Sequence, residues 1–86
     1  MSDKDILLVS SSDLQRVGLG LFRGANKMAM VFLNEVINRT QDQKFSLLST
    51  QNIIKDICQH GDSFKGLEGA EKAIMYSVLL KNRANF

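Results

Sequence analysis

The sequence predicts an all-α fold, a small bundle of three to four helices completed by dimerisation, and three observations carry that prediction. Leu14, Val17, Leu21, Ala25, Met28, Phe32 and Val36 recur at alternating steps of three and four, which places them on one face of a helix. The 86 residues contain no proline and are rich in Leu, Met, Ala, Lys and Gln, so long helices meet no missing backbone donor. A chain this short buries only a modest share of its unfolded surface, so so long an apolar face calls for cover from a second copy or a partner.

Taken in order, residues 1–12 read as an N-terminal arm in which Asp3, Lys4 and Asp5 precede the apolar run Ile6 to Val9. Ser10-Ser11-Ser12-Asp13 then reads as a linker or cap, because Ser11, Ser12 or Asp13 can accept a hydrogen bond from the free N–H groups of a following helix. Residues 13–39 form one long or kinked helix. Its first half carries Gly18, Gly20 and Gly24, each costing up to about 1 kcal/mol of helix propensity. Close packing through Gly20 and Gly24 would offset that cost; a break near Gly24-Ala25-Asn26 is the preferred reading. Beyond it, Met28, Ala29, Phe32, Leu33, Val36 and Ile37 turn inward, with Glu35 and Arg39 outside.

Thr40 to Lys44 is a polar turn, after which Phe45, Leu47 and Leu48 return to the core. Ser49 or Thr50 caps a helix over 50–60 whose apolar positions are Ile53, Ile54, Ile57 and Cys58, and Gly61 supplies a left-handed stop. Asp62 or Ser63 caps a last helix over 65–83, packed through Leu67, Ala70, Ile74 and Val78, and Ala84-Asn85-Phe86 is expected to fray. All of this fits a single domain, 1–86.

Charge and cysteine usage narrow the function. Eleven basic and nine acidic residues alternate without forming a block, which is no dedicated phosphate-binding surface. Cys58 is the one cysteine, so no disulfide within the chain is possible, and the apolar run Ile6 to Val9 is too short for a signal-peptide core or a membrane span. A cytoplasmic protein without membrane association is expected. The Asn38-Arg39-Thr40 sequon carries no weight without a secretion signal.

Several motifs invite a sharper function and fall short. Gly18-Leu19-Gly20 with Gly24 suggests a dinucleotide-binding loop, but the third glycine of that fingerprint belongs at 23, where Arg23 stands. The stretch from Asp5 to Leu19 looks like the first strand and helix of a response-regulator receiver domain, yet Ser10 and Ser11 stand where such domains carry magnesium-binding acids. Cys58 and His60 are too few for zinc, so Cys58 is read as a buried small hydrophobe and His60 as a last-turn residue suited to the helix dipole. Helix 50–60, Gly61 and the next helix outline a helix-turn-helix, but a recognition helix opening Gly66-Leu67-Glu68-Gly69-Ala70-Glu71 would turn two carboxylates toward DNA. No cofactor, metal or catalytic pair is expected.

As an ordered pattern, Phe32-Leu33-Asn34-Glu35-Val36-Ile37, the loop to Leu48-Ser49, the helix around Asn52-Ile53-Ile54 and the ending Val78-Leu79-Leu80 resemble the small enterobacterial biofilm-development and two-component connector proteins. The resemblance spans about residues 20–82. It implies a short, cytoplasmic, mostly helical regulator that dimerises and acts by binding other proteins, in some reports with DNA.

The reading of the residues is therefore a non-enzymatic regulatory or adaptor protein, a homodimer that also binds another protein, with Leu21, Phe22, Met28, Met30, Phe32 and Val36 as the candidate interface. The Met and Phe side chains among them repack readily against different shapes. Two alternatives stay open. One is a nucleic-acid-associated transcriptional regulator using Arg16, Arg23, Lys27, Arg39, Lys81 and Arg83; the other is a phage or mobile-element inhibitor of a host protein.

Overall fold

Ser2 starts the first helix, not the serine run at 10–12. In the computed structural model, which describes residues 2–85, α1 spans Asp3–Phe22, its cap being the Ser2 hydroxyl that accepts a hydrogen bond from the Asp5 N–H at 3.2 Å. Asp3 and Asp5 in the first turn complement the helix dipole. The predicted arm 1–12 is thus corrected to ten residues of helix that continue, without interruption, through Ser10 to Asp13. The linker reading fails because tertiary partners hold these polar side chains inside: Ser11 Oγ donates to the Ser77 carbonyl at 2.6 Å, and Ser10 Oγ accepts from Arg39 Nη1 at 3.4 Å. The apolar stripe consequently extends upstream through Leu7 and the small Ser10 to join Leu14, Val17 and Leu21.

The chain breaks at Gly24, as preferred from the sequence. Gly24 takes φ +76°, and the N–H groups of Gly24 and Ala25 reach back to the carbonyls of Leu21 (3.2 Å) and Gly20 (2.8 Å). This paired arrangement is a Schellman motif, and it needs a residue that enters the left-handed region at no steric cost. Close packing operates as well, at Gly20 as expected and at Gly18 rather than Gly24. A Cβ on Gly20 would sit 3.3 Å from Ala29 Cβ, and one on Gly18 would sit 2.6 Å from Ile74 Cδ1, so their bare backbones let α2 (Asn26–Thr40) and α4 (Gly66–Ala84) approach α1.

Between α2 and α4 come α3 (Leu48–Gln59) and a short 3-10 turn, Gly61–Ser63. The resulting bundle is all-α, with four α-helices among the described residues. Helix α1 lies between α2 and α4 and runs antiparallel to both, since Gly20 meets Ala29 near one end of the hairpin and Arg39 meets Ser10 near the other, while Gly18 meets Ile74 and Ser11 meets Ser77. Leu14, Val17, Leu21, Leu33, Val36, Ile54, Ile57, Phe64, Ala70, Ala73 and Leu80 make the core.

Three boundaries move from their predicted places. Helix α3 starts after Leu47 with no side-chain cap, and Thr50, expected to cap it, is a buried helical residue. Gly61 opens the 3-10 turn; the second left-handed glycine is Gly66, φ +64°. Asp62 and Ser63 do not cap α4, whose cap is Lys65. On α4 the packing face also differs. Its buried residues are Gly69, Ala70, Ala73, Ser77, Leu80 and Ala84, whereas Leu67 and Val78 are exposed. The small Ala70 and Ser77 lie where α1 comes close, at Gly18 and Ser11, while Gly69 lies against the Phe64 backbone of the preceding turn. Ala84 is buried at the end of α4 rather than frayed, and Phe86 lies outside the described residues.

Candidate interaction surface

The break at Gly24 decides the fate of the predicted interface. Because 13–39 folds back on itself, α1 and α2 cover each other, and the stripe no longer needs a second chain along its length. Leu21 and Val36 are buried in this chain's own core and present no contact surface. Met30 and Phe32 are half-buried and packed against that core, with the Arg16 guanidinium 5.5 Å from the Phe32 ring centroid. Of the six candidates, Phe22 and Met28 alone are well exposed, at 50% and 51%. They flank the α1–α2 turn, and Leu19 of α1 and Val31 of α2 are exposed as well. Phe45, unlike Leu47 and Leu48, returns to the core as expected, its N–H held by Gln51 Oε1 at 2.9 Å.

Helix α4 carries a second apolar surface that the sequence reading assigned to the core. Leu67, Met75 and Val78 point outward, and Ile74 is half-buried beside Gly18. The signal that could have revealed it is the complementary set of small residues, Gly69, Ala70, Ala73 and Ser77, at helical spacing on the same helix.

The basic residues do not gather on one surface. Arg39 Nη2 lies 3.0 Å from Asp13 Oδ2 and Arg16 Nη1 lies 3.2 Å from Asp13 Oδ1, so a buried carboxylate engages both guanidinium groups. The Arg39 contact is an ion pair in which no N–H is well directed at Oδ2. Arg83 is turned to the Ser49 hydroxyl and the Leu79 carbonyl, while Arg23 and Lys27 are exposed beside the α1–α2 turn and Lys81 on α4.

A second polar cluster ties α3 to α4. Tyr76 donates its hydroxyl proton to Asp56 Oδ2 at 2.5 Å, and Lys72 Nζ lies 3.0 Å from the same oxygen and 2.9 Å from Ser63 Oγ. Lys72 also stands 5.0 Å above the Phe64 ring, whose centroid is 6.3 Å from that of Tyr76. Burial pushes the Asp56 carboxyl up, but its hydrogen bonds to Tyr76 and Lys72 and the nearby positive charge outweigh that and hold it below the ordinary carboxylate value. Burial and the Asp56 carboxylate push the Tyr76 hydroxyl up to about 12. Every member has a partner within the cluster, and the cluster locks two helices together.

At the end of the bundle, Asp3, Lys4, Leu7, Phe45, Leu47, Thr50 and Arg83 line a cleft of about 340 Å³. Cys58, half-buried, has its sulfur 3.7 Å from Thr40 Oγ1, and His60 is exposed at the end of α3. No group of three or more His, Cys, Asp or Glu side chains placed to hold a metal occurs among the described residues, and no helix among them is long and apolar enough to cross a membrane. No protein family, curated protein or solved structure matches this chain.

Proposed function

We propose that this chain is a small non-enzymatic regulatory or adaptor protein that acts by protein–protein contact, offering the apolar surface around the α1–α2 turn to another protein. The observation that supports this reading most is the half exposure of Phe22 and Met28 beside a core that closes without them. A single exposed apolar residue is ordinary on a soluble domain, but Leu19, Phe22, Met28 and Val31 are four large ones exposed within residues 19–31, on the two helices that meet at one turn. Phe and Met suit the role, the first by its area and the second by its ability to repack. Exposed Arg23 and Lys27 at the same turn supply a polar, cationic rim.

The test is affinity capture from lysate of the source cell, with and without nuclease, using the wild-type chain and the variants Phe22→Asp and Met28→Asp. One nuclease-resistant protein at near-stoichiometric yield, lost with both variants while their helical circular dichroism is unchanged, is the expected result. Recovery that vanishes with nuclease would replace this reading with nucleic-acid association. Equal recovery by wild type and variants would remove the α1–α2 turn as the contact.

A further inference from the structure

Helix α4 is built the opposite way round from an ordinary surface helix. Its inner face holds Gly69, Ala70, Ala73 and Ser77, while Leu67, Met75 and Val78 project outward at 65%, 51% and 52% exposure. Leu67, Glu71, Ile74 and Val78 follow steps of four, three and four, so a single seam runs along the outer side of the helix. A seam with that spacing fits another helix laid along it.

The charges on this seam specify which helix and in which direction. Glu68 and Glu71 lie toward its N-terminal end and Lys81 toward its C-terminal end, with Ile74, Met75 and Val78 between them. None of the three has an ion-pair partner among the described residues. A second copy of α4 laid antiparallel, with the two-fold axis passing beside residue 76, places Glu71 against Lys81 of the second copy and Ile74 against Val78 of the second copy. Symmetry repeats each contact. The two helix dipoles then also oppose one another. A parallel pair in register would instead set Glu71 against Glu71 and Lys81 against Lys81.

We propose that the outer face of α4 is a self-association surface, and that this protein forms a two-fold dimer through antiparallel α4 helices held by Ile74 and Val78 at the centre and Glu71–Lys81 pairs at either side. The proposal rests on the reading that the chain works through protein contacts, and it leaves Phe22 and Met28 free for a different partner. The contact involves one helix from each copy, below the standard size of a stable interface, so the dimer is a reversible one.

The experiment is sedimentation equilibrium of the full chain over a wide concentration range, with Val78→Asp, Glu71→Lys, Lys81→Glu and the double reversal E71K/K81E. The wild type should associate to a dimer and Val78→Asp should be monomeric with unchanged helical circular dichroism, because Val78 is 52% exposed in the single chain. Each single reversal turns an attraction into a repulsion at two symmetric places and should weaken the dimer about tenfold, and the double reversal should return it to within about threefold of wild type. A wild type that stays monomeric overturns the dimer while leaving partner capture through Phe22 and Met28 as a separate result. A dimer indifferent to the single reversals, or not restored by the double one, overturns the antiparallel α4 pairing.

Discussion

Gly69→Ala should destabilise this protein, although helix propensity alone predicts the reverse. Gly69 is inside the first turn of α4, its N–H bonded to the Lys65 carbonyl at 2.9 Å, and alanine there should gain up to about 1 kcal/mol over glycine. A Cβ at this position would lie 2.6 Å from the Phe64 carbonyl carbon, 2.9 Å from Phe64 Cα and 3.3 Å from the Ser63 carbonyl oxygen. These are backbone atoms, so no side-chain rotation relieves the clash. Phe64 cannot simply retreat, being 1% exposed, packed against Tyr76 and covered by Lys72. Overpacking of this kind costs up to about 3 kcal/mol, which leaves a net loss near 2 kcal/mol after the propensity gain. For a domain of this size that corresponds to a fall of roughly 10 °C in Tm. Thermal unfolding followed by far-ultraviolet circular dichroism measures it, with Gly18→Ala as the comparison. The atoms nearest a Cβ on Gly18 belong to the end of the half-exposed Ile74 side chain, which can rotate away, so that variant should lose less. A Gly69→Ala variant as stable as wild type, or more so, would refute the packing of the 61–66 turn against α4.

Two further substitutions probe the polar clusters. Arg39→Met should cost about 3 kcal/mol in urea unfolding, because Asp13 is 4% exposed and would be left with Arg16 as its one cationic partner; a loss under about 1 kcal/mol would mean that the buried side chain finds water instead. The Asp56–Tyr76 bond makes stability depend on pH at both extremes. The Asp56 carboxyl is held below its ordinary 3.8, so its contribution is present above that pH and is lost as pH falls through the folded value; the Tyr76 hydroxyl is raised from 10.0 to about 12, so its contribution is present below pH 10 and is lost as pH rises toward 12. Tyr76→Phe should lower stability by about 1 kcal/mol at neutral pH and flatten the alkaline decline, and an alkaline decline of undiminished size would assign it to other groups.

The helices were legible in the sequence because their cause is local. The absence of proline, the three-and-four spacing of Ile53, Ile54 and Ile57, and the Gly24 break flanked by two periodic runs required no knowledge of the rest of the chain. The sequence also singled out Phe22 and Met28, through the clustering of Phe and Met around that break, and the structure leaves both exposed. Their exposure, unlike their position, was beyond the sequence. Periodicity says which residues share a face of a helix; it does not say what the face meets.

Tertiary structure decided the rest, and it did so through partners distant in sequence. Ser10, Ser11 and Asp13 have the composition of a cap, yet Ser10 bonds Arg39 and Ser11 the Ser77 carbonyl, 29 and 66 residues away, Asp13 pairs with Arg39, and the helix passes straight through. Leu67 and Val78 share the helical spacing of a core, but on α4 the inside is taken by glycine, alanine and serine together with Leu80, and Leu67 and Val78 turn outward. Leu21 and Val36 looked available to a second copy until the turn at Gly24 brought α1 and α2 together over them. The sequence by itself determined that this chain is helical, where the long apolar run breaks and which residues are apolar; which of those apolar faces are spent on the core and which are left for other molecules was decided by the distances between helices.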